Sequence, residues 1–122
     1  MALTVKASGT QLAVIGTEHS LNAGSFIDSG MYMVNVNTRN MLAADVLELR
    51  AYVKILTGDA QEYLAYSASF AGVQGDAAAP GSSAKGDVTK HSIPVPSPYS
   101  LRFTLKQTAG TGRNFDWSVV TI

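Results

Sequence analysis

The clearest pattern in the chain is a pair of alternating runs within residues 46–71. In the first run the apolar residues occupy every second position: Leu47, Leu49, Ala51, Val53 and Ile55. The charged residues Glu48, Arg50 and Lys54 lie between them. In the second run the larger apolar residues again share one parity: Leu64, Tyr66, Ala68 and Phe70. Because successive side chains of a strand point to opposite faces, both runs predict half-buried antiparallel strands.

The segment between these runs predicts a turn, since Gly58 tolerates positive φ and Asp59 can hydrogen-bond to nearby backbone. Three further segments alternate in the same way and are predicted as strands: residues 31–37, 101–107 and 115–122. The side chains expected to face the core there are Tyr32, Val34, Val36, Leu101, Phe103, Leu105, Phe115, Trp117 and Val119. Those expected to point outward from 101–107 are Arg102, Thr104 and Lys106.

The N-terminal part predicts shorter elements. Residues 2–7 and 10–16 alternate weakly, and we expect Ser8-Gly9 to separate them into two strands. Residues 18–24 are polar and predict an edge segment. Residues 38–45 have some helical character but are too few for an independent helix, so a single turn or an irregular loop is expected.

Three prolines mark another edge. Pro94, Pro96 and Pro98 share one parity, so the N–H groups that they lack would all lie on the same side of a strand. A central strand could not tolerate this, whereas an edge strand or a polyproline-like segment could. Prolines also protect a sheet edge against unwanted pairing.

Residues 72–87 form a stretch of about 16 residues rich in Gly, Ala, Ser and Pro. This is longer than a passive connection in a compact domain, so we expect an exposed, mobile loop that orders against a neighbouring molecule. The residues predicted to contact a partner are Gly72, Val73, Gln74, Pro80, Ser82, Lys85, Pro94 and Pro96.

These elements define the predicted fold class. About eight strands without a convincing helix predict an all-β, antiparallel two-sheet β-sandwich of jelly-roll type. The length of 122 residues predicts a single domain that spans residues 1–122.

Composition then excludes several function classes. Charged residues make up 15% of the chain, against about 25% in typical domains, and the formal net charge is zero. Without a Lys/Arg cluster, nucleic-acid binding through phosphate contacts is not expected. The lack of cysteine excludes a disulfide scaffold, thiol chemistry and Cys-ligated zinc. No apolar run approaches the roughly 20 residues of a membrane span, so we expect a soluble protein made in a cytoplasm.

No catalytic constellation stands out. His19 and His91 are far apart in sequence, so neither a metal nor another cofactor is expected. The carboxylates are scattered and mostly at turns, where they stabilise backbone. The Gly110-Thr111-Gly112-Arg113 segment lacks the P-loop signature and precedes a strand, so a glycine-supported hairpin loop is predicted. We therefore do not expect an enzyme.

Aromatic residues leave one alternative open. Tyr66 and Trp117 are expected in the core, whereas Tyr52, Tyr63 and Tyr99 are candidates for an exposed platform that stacks on sugar rings. A carbohydrate-binding β-sandwich module is therefore an alternative function.

The segment LKQTAGTGRNFDWSV at 105–119, with EHSL at 18–21 and ADVLELR at 44–50, resembles small all-β virion proteins of tailed bacteriophages, of the head decoration or cement type. The resemblance implies a non-enzymatic structural protein of the virion, made in the bacterial host cytoplasm. It further implies contacts with the phage major capsid protein and a homo-oligomer, with a trimer favoured. A tail-associated accessory protein with the same fold is an alternative within this class.

Overall fold

The computed structural model describes residues 3–22, 26, 28–74 and 88–121. These residues form nine strands and contain no helix. The strands are β1 (Thr4–Leu12), β2 (Glu18–Ser20), β3 (Gly30–Asn37), β4 (Val46–Lys54), β5 (Tyr63–Ala71), β6 (Thr89–His91), β7 (Val95–Ser97), β8 (Ser100–Ala109) and β9 (Asn114–Thr121). Most of the predicted long loop, including Pro80, Ser82 and Lys85, lies outside the described residues.

The strands form two antiparallel sheets packed as a sandwich. One sheet has the order β1-β9-β3-β6, with β7 also paired to β3, and the other has the order β2-β8-β4-β5. Consecutive strands lie in different sheets except in the β4–β5 hairpin and the adjacent short strands β6 and β7, which is the arrangement of a jelly roll. The predicted jelly-roll sandwich is confirmed.

The proline-containing segment forms two short strands where a single edge segment was predicted. β6 pairs with the end of β3 and β7 with its beginning, so together they act as one broken edge strand. At the break, the Ser92 N–H donates to the Val34 carbonyl (2.9 Å) and the Ser92 hydroxyl accepts from the Val34 N–H (3.0 Å). Of the two possibilities for the proline segment, the structure has the edge strand, with Pro94 and Pro96 exposed.

The predicted core is largely confirmed. The inward-facing residues of β3, β4 and β8 are buried, as are Phe115 and Val119 of β9. Trp117, Tyr66 and Phe70 are partly buried and pack against this core. The chain segment 38–45 forms turns, as expected.

The predicted interruption at Ser8-Gly9 is wrong, because β1 is one continuous strand. Gly9 lies opposite Trp117 in the neighbouring strand, and a Cβ at Gly9 would approach the indole ring to 3.4 Å. The glycine therefore makes room for a large cross-strand neighbour instead of ending the strand.

Two residues predicted to face the core are exposed instead. Ile55 follows the end of β4 and lies in the turn region. Leu64 is exposed because of a β-bulge: Ala51 pairs with Tyr66 but Tyr52 pairs with Leu64, so one extra residue shifts the alternation.

Candidate interaction surface

One end of the sandwich, which we call the loop end, brings together residues 13–17, 38–45, 72–74 and 110–113. Backbone hydrogen bonds join these segments. The Ala13 N–H donates to the Arg113 carbonyl (2.9 Å), and the Gly16 N–H donates to the Gln107 carbonyl (2.9 Å). The Gly72 N–H donates to the Asp45 carbonyl (2.8 Å). These bonds join the segments in two pairs, and the Asp45 side chain links one pair to the other.

A buried carboxylate holds the loop end together. The Asp45 side chain is 1% exposed and accepts hydrogen bonds from the Leu42 N–H (2.8 Å), the Thr111 N–H (3.1 Å) and Arg113 Nε (2.8 Å). Burial acts to raise the pKa of Asp45, but the hydrogen bonds from Leu42, Arg113 and Thr111 outweigh it and hold that pKa below its ordinary value. Asp45 thus stays charged and links two loops that are distant in sequence.

A buried amide completes this arrangement. Gln107 Nε2 donates to the carbonyls of Ala109 (3.0 Å) and Thr111 (2.7 Å), and Gln107 Oε1 accepts from the Arg113 N–H (3.1 Å). Both ends of the amide are therefore used inside the loop. We call Asp45, Gln107 and Arg113 the polar anchor.

The glycines of this loop have structural roles, but not as predicted. β8 and β9 belong to different sheets, so residues 110–113 cross between sheets and do not close a hairpin. Gly110 has a φ of 89°, and a Cβ there would overlap the Asp45 carboxylate. A Cβ at Gly112 would overlap the Ala13 carbonyl oxygen. Gly110 thus supplies the predicted positive φ, whereas Gly112 permits a close approach.

Exposed apolar side chains project from the anchored loops. Val14 is 55% exposed, Ile15 40%, Leu42 53% and Val73 63%. Exposed apolar residues that occur singly need no explanation, but several on one surface are typical of contact sites. The loop end is therefore the candidate interaction surface of the molecule.

The predicted contact residues lie in two places. Gly72, Val73 and Gln74 belong to the loop end, where Gln74 Nε2 donates to the carbonyls of Ala71 (2.9 Å) and Gly72 (3.2 Å). Pro94 and Pro96 lie instead beside the beginning of β3, away from the loop end. The structure does not bring the two groups together.

A second polar cluster occupies the outer face of the four-stranded sheet. The Tyr52 hydroxyl (2.7 Å) and the Thr104 hydroxyl (2.6 Å) both donate to Glu18 Oε2. Thr104 points outward as predicted, yet it is buried within this cluster. Burial acts to raise the pKa of Glu18, but the hydrogen bonds from Thr104 and Tyr52 and the nearby arginines lower it overall.

Arg102 connects this cluster to the β4–β5 turn region. Its Nε donates to both carboxylate oxygens of Glu62 (3.2 Å each), and its Nη1 donates to the Ser20 hydroxyl (2.8 Å). The guanidinium also lies 4.8 Å from the centre of the Tyr52 ring. One ring face of Tyr52 is therefore covered, and the cluster ties three strands and a turn together.

The three tyrosines considered for sugar stacking do not form one row. Tyr52 lies on the outer face, whereas Tyr63 pairs with inward-facing Val53. Tyr99 lies in the short turn between β7 and β8. A flat aromatic platform on one sheet face is therefore not present among these residues.

The two histidines lie in different sheets. His19 contacts Gln11 and the Val14 N–H, whereas His91 contacts the Asn35 side chain. In the part of the chain that the structure describes, no group of three or more His, Asp or Glu side chains converges on a possible metal position. No helix in that part is long and apolar enough to cross a membrane.

The strand order and the anchored loops define a jelly-roll β-sandwich with one candidate contact surface at the loop end. Comparison of the chain with protein-family models, curated proteins and solved structures gives no match.

The polar anchor was missed by the sequence prediction, which treated Asp45 only as one of several turn carboxylates. No local pattern in the sequence singles out Asp45, because its partners Thr111 and Arg113 lie in a distant loop. Which carboxylate pairs with Arg113 depends on the fold, because Asp45 and Arg113 are 68 residues apart.

Proposed function

We propose that the chain is a non-enzymatic structural protein of a tailed-phage virion, which decorates or cements the capsid by binding the major capsid protein through its loop end. The resemblance of residues 105–119, 18–21 and 44–50 to small virion proteins supports this proposal. The jelly roll is frequent in viral structural proteins and also in lectins, so the fold alone does not choose between them.

The observation that carries the proposal is the set of exposed apolar side chains on anchored loops. Leu42 and Val73 project from segments fixed by Asp45, through its side chain and its carbonyl respectively. A contact surface that is already ordered loses little conformational entropy on binding. The low charge of the chain also lowers the cost of desolvation against a protein shell.

The test is co-sedimentation of the purified protein with capsids of the phage that encodes it. We expect Leu42→Ser/Val73→Ser to weaken binding roughly tenfold or more, because two apolar side chains leave the interface. The matched control is Ile55→Ser/Leu56→Ser at the opposite end, where the side chains are 57% and 66% exposed. An equal loss in both variants, or a wild-type protein that never sediments with capsids, would contradict the proposal. Electron microscopy of labelled virions distinguishes the head from the tail alternative.

A specific feature allows the carbohydrate alternative to be tested. A shallow depression of about 260 Å³ lies beside β3 and β9, lined by Asn35, Val36, Asn37, Thr89, Asp116, Trp117 and Ser118. Much of its polar lining is already bonded internally: Asn35 donates to Ser118 (3.2 Å), and Asp116 pairs with Arg39 (2.8 Å). Binding on a glycan array that Asn37→Ala abolishes would favour this alternative over capsid binding.

A further inference from the structure

The four edges of the two sheets differ in how they resist pairing with another strand. β2 has three residues, and the β6–β7 edge is broken and carries exposed prolines. β1 is long but contains Lys6 at a β-bulge, with its Nζ 3.6 Å from the Asp28 carboxylate. These are the features by which proteins protect sheet edges.

β5 has none of these protections apart from one bulge. It extends over nine residues, YLAYSASFA, with neither a charge nor a proline. It pairs with β4 on one side, and within the described residues no strand pairs with its other side. The bulge lies near its beginning, so Tyr66 to Ala71 pair regularly with β4. A long, uncharged and regular edge is a template for strand addition.

We propose that β5 pairs antiparallel with β5 of a second copy of this chain, which joins two four-stranded sheets into one continuous sheet. This proposal goes beyond the proposed capsid contact. It concerns the homo-oligomer that the resemblance implies, and it gives a dimer instead of the trimer favoured there. The occupant is a second copy because β5 is self-complementary. An uncharged strand places no like charges opposite each other when it pairs with itself.

A register centred on Ala68 fits this pairing. It places Ser67 opposite Ser69 of the second copy on the outer face, and Tyr66 opposite Phe70 of the second copy on the inner face. Aromatic pairs across strands stabilise antiparallel sheets. Other edges of a second copy do not offer this match, because they are short, broken or charged. Self-pairing therefore has two-fold symmetry and closes at a dimer.

The test is the molar mass of the full chain in solution, measured by light scattering over a concentration series without capsids. We expect the mass to approach twice that of the 12.8 kDa chain. Ser67→Lys/Ser69→Lys places lysines opposite each other and should give the monomer mass, since both serines are exposed and tolerate substitution. Ser67→Glu/Ser69→Lys places opposite charges together and should keep the dimer.

Ser8→Lys on exposed β1 is the control for an added edge lysine and should leave the dimer mass unchanged. Circular dichroism confirms that each variant is folded. If Ser67→Lys/Ser69→Lys does not fold, the molar masses of the wild type and of Ser67→Glu/Ser69→Lys still test whether β5 pairs with itself. A wild-type monomer at every concentration, a trimer, or a dimer that survives in the folded double-lysine variant would overturn the proposal. Because capsids are absent, failure of capsid binding would leave this result intact.

Discussion

The two ends of the sandwich both expose apolar side chains, but they differ in what lies beneath them. At the loop end, Asp45 is buried and bonds to residues far away in the chain. At the opposite end, the turn after β4 exposes Ile55 and Leu56, whose N–H groups donate to Asp59 (3.0 and 2.9 Å). Those bonds join residues only three or four positions apart.

This difference separates a local turn from a surface that belongs to the whole fold. The loop-end geometry depends on both sheets, since the polar anchor joins connections that follow β3 and β8. The Asp59 bonds order only their own turn, although Arg102 also fixes Glu62 nearby. Exposure alone therefore does not distinguish the two ends, whereas the buried polar support is found at the loop end.

The largest effect is expected when the anchor loses its carboxylate. Asp45→Ala leaves two backbone N–H groups and the Arg113 side chain without their acceptor, so we expect the free energy of unfolding to fall by about 3 kcal/mol. Urea denaturation measures this change.

Asp59→Ala is the matched control at the opposite end and should cost about 1 kcal/mol, as for the loss of a local capping carboxylate. Equal losses for Asp45→Ala and Asp59→Ala would show that the two ends do not differ in the way described.

A smaller effect is expected from a methyl group placed against the anchor. Gly110→Ala forces a residue with a side chain to a φ of 89° and pushes its Cβ into the Asp45 carboxylate, so we expect a loss of about 2 kcal/mol or more. Gly16→Ala separates the two causes: its φ is 84° but no atom lies near the added Cβ, so a loss of about 1 kcal/mol is expected. Thermal unfolding followed by circular dichroism measures both, and equal losses would exclude a role for the overlap with Asp45.

The strands could be predicted from sequence because the alternation of apolar and polar residues within each strand shows which of its faces is buried. In β4, Leu47 and Leu49 alternate with Glu48 and Arg50, and this pattern survives whatever the strand pairs with. Pro96 in β7, with Pro94 and Pro98 on either side, indicated an edge for a similarly local reason, which is that prolines lack an N–H group.

The sequence predictions failed where the role of a residue depends on a neighbour from a distant part of the chain. Gly9 suggests a break until Trp117 is known to lie opposite it. Leu64 changes face because of a bulge that only the pairing with β4 reveals. The importance of Asp45 likewise depends on Thr111 and Arg113, which no local pattern associates with it.

The smallest expected effect concerns the pH dependence of the stability that Asp45 contributes at the loop end. Since the pKa of Asp45 is lower in the folded protein than its ordinary value of 3.8, its contribution to stability is complete above that value and is lost as the pH falls through the folded pKa. The stability gap between wild type and Asp45→Asn should therefore narrow from about pH 5 to about pH 2. Urea denaturation across this range measures the gap.

Glu18→Gln is the comparison variant, because the pKa of Glu18 is also lowered but this side chain lies on the exposed sheet face. The difference in stability between wild type and Glu18→Gln should shrink with added salt, since mobile ions screen exposed charges. The corresponding difference for buried Asp45 should change little. A gap between wild type and Asp45→Asn that stays constant with pH would mean that the Asp45 charge does not stabilise the loop end. The anchor would then act only through the shape of its hydrogen bonds, which an asparagine could partly reproduce.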